Sequence, residues 1–200
     1  MPRSLSVPEV AATVRAAELR PAFPSPIDWR DHWIYFLMLD RFNNPDQPPR
    51  HQPYDDPNYY DFQGGTYGGV QAQLGYLKQL DVGAIWLSPV LKNCQYDPGS
   101  YHGYGIQNFL EAEPRFASNP ANADAELRAL VDAAHALGIY IIFDIVLNHA
   151  GDVFAYRDGG STANFSSDSL PIEWRDENGN PRPDWTDIAA IQNAPENAIV

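Results

Sequence analysis

The chain has 200 residues but a single cysteine, Cys94, so no intrachain disulfide forms and a cysteine-based zinc site is disfavoured. Positive charge is also scarce. Thirteen Lys and Arg stand against 26 Asp and Glu, a formal charge of −13, which repels phosphate backbones and removes the usual basis for nucleic-acid binding. No apolar run approaches the roughly 18 residues of a membrane span, and no apolar h-region follows Arg3. The expectation is therefore a cytoplasmic chain with no membrane partner; oligomeric state stays open. There is no low-complexity tract, no short repeat and no glycine-rich dinucleotide fingerprint after the first apolar run. What remains is ordinary globular composition, 44% apolar and 20% charged, enough for a packed core.

Ser6-Val7-Pro8-Glu9 reads as a capped helix start, with Ser6 as N-cap, Pro8 in the first turn and Glu9 completing a capping box, giving a helix over residues 6–20. Pro21, Pro24 and Pro26 then lead into an extended linker. Ile34 to Leu39 is a continuous apolar run, which suits a strand covered on both faces, and a proline- and aromatic-rich loop follows over 45–63. Val70, Leu74, Leu77 and Leu80 recur at helical spacing across 68–82, with Gly83 as the left-handed stop before a strand at Ala84–Leu87. After a long loop the pattern repeats: Asn122 as N-cap, a stripe of Leu127, Leu130, Val131, Ala134 and Leu137, a stop at Gly138, and a third strand from Tyr140 to Val146. Helix, glycine and buried strand in succession imply an α/β fold with parallel strands, either an open sheet or a barrel. Every strand ends in a polar or aromatic cluster, which favours the barrel. Strands one and three are expected to expose unpaired edges. Residues 150–200 show no period and read as a loop-rich subdomain anchored by Trp174, Trp185 and Ile188.

Three clusters carry candidate chemistry. Asp40-Arg41-Phe42 with Asn43, Asn44 and Asp46 is a structural ion pair or, being rich in oxygen, a calcium loop. Tyr101-His102-Gly103-Tyr104-Gly105 offers flat rings for a sugar face and a histidine for its hydroxyls, or else a buried tyrosine corner. Asp144 to His149 is the most informative. Strand alternation sends Asp144 into an apolar environment, where its charge needs a partner from another strand, while Asn148 and His149 stand at the strand's lip.

Taken in order, Asp40 to Phe42, Gly83 to Pro89, Tyr101 to Tyr104 and Asp144 to His149 resemble the α-amylase family of glycoside hydrolases, family 13, strongly over residues 33–149. The resemblance implies a partial TIM (β/α)8 barrel: helix and linker over 1–32, the first three β/α units over 33–149, and over 150–200 the start of domain B, inserted after strand three. It implies retaining hydrolysis of α-glucans or maltooligosaccharides. Tyr104 is then the ring that stacks on the sugar, His102 and His149 its hydrogen-bonding neighbours, Asp144 a supporting carboxylate, and Asn148 a calcium ligand. Gly105 departs from the bulkier residue of many relatives, and Asn108 stands near a common aspartate position.

Retaining glycosidases use two carboxyl groups about 5 to 5.5 Å apart. In the family these follow strands four and five, and no Arg-x-Asp strand or acid/base glutamate is recognisable before Val200. The expectation is a truncated catalytic domain, inactive by itself. The alternative is a noncatalytic amylase-like protein that binds carbohydrate or another partner.

Overall fold

A computed structural model describes residues 8–19, 22–47, 61–156 and 172–185. The chain divides into two compact units, Met1–Asp31 and His32–Val200. In the first, helix α1 spans Pro8–Glu18, and a 3-10 turn at Trp29–Asp31 is closed by Arg30, whose backbone N–H and guanidinium both donate to Asp28. The expected cap at Ser6 lies outside the described residues.

In the second unit β1 (Trp33–Leu37), β2 (Val82–Leu87) and β5 (Tyr140–Phe143) form a parallel sheet in the order β1-β2-β5. Between β1 and β2 lie α2 (Leu39–Phe42), α3 (Tyr67–Ala72) and α4 (Leu74–Gln79); α5 (Ala123–Ala136) precedes β5. The register sets Tyr35 beside Ile85 and Ile85 beside Ile141, and Leu37 beside Leu87. These residues share the face that joins Val70, Leu74, Leu77, Leu130 and Ala134 in one core. Burying each large aliphatic side chain there contributes about 1.5–3 kcal/mol. The other face carries Ile34, Phe36 and Trp86, with Phe36 and Trp86 46% and 41% exposed and packed edge to face at 5.2 Å.

Several boundaries differ from the sequence reading. The first strand ends at Leu37, because the chain turns into α2, where the Leu39 N–H donates to the Ser88 hydroxyl at 3.2 Å. The helix expected over 68–82 is broken at Gln73, the shared cap of α3 and α4. Gly83 is not its stop: Asp81 takes the left-handed turn at φ 62°, and Gly83 sits in β2, where a Cβ would press on the His32 ring at 2.5 Å. Gly138 does end α5, at φ 70°. Asn122 occupies the N-cap of α5 without a side-chain cap; Glu126 instead reaches back to the Ser118 and Asn119 backbone N–H groups at 2.8 and 2.9 Å. The third strand stops at Phe143, since its partner Leu87 is the last residue of β2.

The long loop after β2 contains an antiparallel pair, β3 (Leu91–Asn93) with β4 (Ile106–Ala112). Beyond β5 a second small sheet forms from β6 (Phe154–Tyr156), β7 (Ile172–Arg175) and β8 (Pro181–Arg182). Trp174 meets Phe154 there at 5.6 Å and Trp185 is buried, while Ile188 lies outside the described residues. Among the described residues no helix is long and apolar enough to cross a membrane.

Candidate active site

The segment carrying Tyr101, His102 and Tyr104 is held against the ends of β2 and β4 by backbone constraints. Asp97 caps a 3-10 turn over Pro98–His102, and Gly103 ends it at φ 89°, packed so closely on the Pro89 carbonyl that a Cβ would overlap it. The Cys94 N–H donates to the Gly105 carbonyl at 2.9 Å, and the Gly151 N–H to the Ile106 carbonyl at 2.7 Å. This lays the stretch after β5 alongside the aromatic loop, with the Cys94 thiol buried beside Gly151 and its pKa pushed up by burial. A side chain at Gly105 would press on Ser100 Cβ at 3.0 Å and Asn93 Oδ1 at 3.3 Å, which explains the absence of a bulkier residue. Asn108 turns its Oδ1 to the Leu110 N–H at 2.9 Å, a structural use.

Tyr104 is where the separated motifs meet. Its hydroxyl donates to Asp144 Oδ2 at 2.9 Å, its N–H donates to His102 Nδ1 at 2.9 Å, and its carbonyl receives His149 Nε2 at 3.1 Å. Asp144 therefore differs from its expected setting. It lies just past the strand and half-buried, its neighbour Leu147 is 80% exposed, and it is met by a loop tyrosine rather than by a cation from another strand.

The electrostatics suit a neutral ligand. Burial first, then the bond to Asp144 and its charge, push the Tyr104 hydroxyl upward, so it stays protonated. Burial lowers the His102 pKa against the opposing pull of Asp97, which favours the neutral ring; with Nδ1 accepting, its proton sits on Nε2. A half-exposed tyrosine ring with a hydroxyl, a carboxylate and two imidazoles around it recognises polyhydroxylated rings better than anions or apolar molecules.

Asp40 is structural. It is 2% exposed, accepts from the Gln63 and Gly64 N–H groups at 2.9 Å each, and pairs with Arg41 Nε at 3.3 Å. Desolvation nevertheless leaves its pKa raised. Asn43 and Asn44 spend their amides on the Gly69 and Gly64 carbonyls, at 3.1 and 2.7 Å. Asn148 is exposed, and among the described residues no group of three or more His, Cys, Asp or Glu is placed to hold a metal. Calcium takes six to eight oxygens, so the described residues do not by themselves fit that ion.

One network escaped the sequence reading. Glu113, fully buried, accepts from Arg115 Nε at 2.8 Å, the Asn93 N–H at 2.7 Å and Gln95 at 3.2 Å, and Arg115 continues to the Ser100 hydroxyl at 3.1 Å. It braces the turn that bears Tyr101 and His102. The signal was Glu113-Pro114-Arg115, in which a proline turn folds an acid onto a base two residues away.

The profile of the family described as "Alpha amylase, catalytic domain" matches residues 36–191. The chain belongs to this family. Among curated α-amylase relatives, the periplasmic α-amylase of Escherichia coli K12 is 36% identical over 142 residues, covering 64% of this chain and 20% of that protein. Neopullulanase 2 of Thermoactinomyces vulgaris is 36% identical over 143 residues, covering 68% of this chain and 23% of that protein. Of solved structures, the α-amylase of Geobacillus thermoleovorans complexed with acarbose is 38% identical with a TM-score of 0.51, and that of Malbranchea cinnamomea 30% identical with a TM-score of 0.55; each covers 64% of this chain and 25% or 26% of the other. The chain thus spans about a fifth to a quarter of these proteins. The α-amylase neighbours imply a TIM barrel, of which the parallel sheet and its helices are an α/β part.

Proposed function

We propose that these residues form the glucan-recognition part of a retaining α-amylase-family glycoside hydrolase acting on α-glucans or maltooligosaccharides. The observation that carries this reading is the convergence on Tyr104, which joins His102, Asp144 and His149 from two distant stretches of chain. In this reading the Tyr104 ring lies against the apolar face of a glucose unit, and His102 donates from Nε2 to a hydroxyl. His149 supplies a second polar contact. Asp144 holds the Tyr104 hydroxyl and offers its other oxygen as an acceptor. In the same reading, residues 33–149 are the first three β/α units of the barrel and 150–200 begin domain B. Asn148 is a calcium ligand in this reading, but a single amide oxygen gives that ion no part in what the described residues do.

None of the residues assigned here is a nucleophile or an acid/base. The 200-residue polypeptide therefore binds without cleaving. Incubation with maltoheptaose is expected to release no new reducing ends. NMR titration with maltotriose is expected to show weak, millimolar contact confined to Tyr104, His102 and His149, abolished by Tyr104→Ala. Cleavage by the pure chain overturns the supporting role, and shifts clustered elsewhere overturn the site. Tight calorimetric binding without cleavage is the outcome expected of a noncatalytic carbohydrate-binding protein.

A further inference from the structure

Tyr104 and His102 sit at the end of a row of ring contacts that begins in the protein interior. Arg41, on the one-turn α2, pairs through Nε with the buried Asp40 carboxylate at 3.3 Å and lays its guanidinium over the Tyr101 ring at 4.1 Å. The Tyr101 ring meets His102 edge to face at 5.2 Å, and His102 lies 5.5 Å from the Tyr104 ring. Simple neutralisation does not require this arrangement. Asp40 already receives the Gln63 and Gly64 N–H groups, and a lysine ammonium would serve its remaining charge equally well. A planar cation suits the second contact, since a guanidinium stacks on an aromatic face while its edge donates. Because Arg41 covers one Tyr101 face and His102 meets that ring edge to face, Tyr101 serves as a support and leaves Tyr104 as the ring for a ligand.

We infer that Arg41 is a positioning residue for this site: anchored on Asp40, it fixes Tyr101 and, through it, the angle at which His102 and Tyr104 face a bound sugar. The inference rests on the glucan-recognition reading only for what the rings meet. The coupling itself is a property of the unliganded chain.

The test is amide hydrogen exchange and NMR on the 200-residue polypeptide without sugar. Arg41→Lys keeps the charge beside Asp40 and loses the stack. It is expected to raise exchange at the Tyr104 N–H, which donates to His102, by about tenfold, and to move the His102 ring resonances, while the Gln63 and Gly64 amides held by Asp40 stay protected. Tyr101→Leu removes the ring that Arg41 covers while leaving the Arg41–Asp40 ion pair in place, and is expected to produce the same pattern; it carries the test if Arg41→Lys does not fold. Unchanged Tyr104 exchange and His102 resonances overturn the inference. So does a uniform rise at all three amides, which marks Arg41 as purely structural. The maltotriose titration is independent of these readouts, so a silent titration with the expected exchange pattern removes the sugar and leaves the coupling.

Discussion

The Tyr104 hydroxyl donates to Asp144 Oδ2 at 2.9 Å across 40 positions of sequence. The bond closes the rim between the aromatic loop and the end of β5. Tyr104→Phe keeps the ring and removes the donor, leaving a half-buried carboxylate oxygen to partial solvation. Urea unfolding is expected to show a loss of about 1 kcal/mol at unchanged m value, the usual worth of such a bond.

Glu113 is a harsher case, because its carboxylate is fully buried and holds Arg115, Gln95 and the Asn93 N–H together. Glu113→Ala strands the Arg115 guanidinium and should cost about 3–5 kcal/mol. Glu113→Gln keeps an acceptor for Asn93 and is expected to lose about half as much. Equal stabilities of the two variants by denaturant titration would show that the charge, not the acceptor, carries the network.

Two glycines with positive φ should respond differently to alanine. Gly138 (φ 70°) has open space where a Cβ would stand, so Gly138→Ala meets only the left-handed backbone penalty, about 1 kcal/mol. Gly103 (φ 89°) adds overlap with the Pro89 carbonyl, and Gly103→Ala is expected to cost about 3 kcal/mol. The comparison is read from paired thermal and urea transitions.

His102 makes stability depend on pH in a defined direction. Its folded pKa lies below the ordinary value near about 6.5, so on acidification the unfolded chain takes up the proton first. The contribution is complete above about 6.5 and is lost as pH falls through the lower folded value. Protonation at Nδ1 also removes the acceptor used by the Tyr104 N–H. His102→Asn keeps an acceptor and does not titrate, so its unfolding free energy should fall less steeply between about pH 7 and pH 5 than that of the parent chain. Parallel slopes would remove His102 from the acid sensitivity.

The periodic parts of the fold were legible in the residues. The apolar runs at β1, β2 and β5 and the stripe of α5 point to parallel strands joined through helices, because period is a local property, whereas the first run read as covered on both faces and the structure leaves Ile34 and Phe36 exposed on one. The β3–β4 pair was not legible, since Leu91–Asn93 is three residues long and its ladder is irregular. Nor was the small sheet after β5, whose strands run only two to four residues and whose first, β6, pairs across an intervening stretch with β7. At the site, Tyr104, His102 and His149 were visible as residue types in a recognisable order. Two things needed coordinates: the partner of Asp144, where strand alternation pointed to a cation and the structure supplies a tyrosine hydroxyl, and the second use of Arg41, because stacking on Tyr101 depends on a loop 60 residues away that no local pattern encodes.

Cys94 hides its sulfur beside Gly151, at the seam where the aromatic loop and the stretch after β5 are sewn together. With one thiol in the chain, its modification rate counts a single event, the parting of that seam. An alkylating reagent thereby becomes a clock for the breathing of the rim, running slowly while Tyr104 and Asp144 stay joined and faster in any variant that lets them separate.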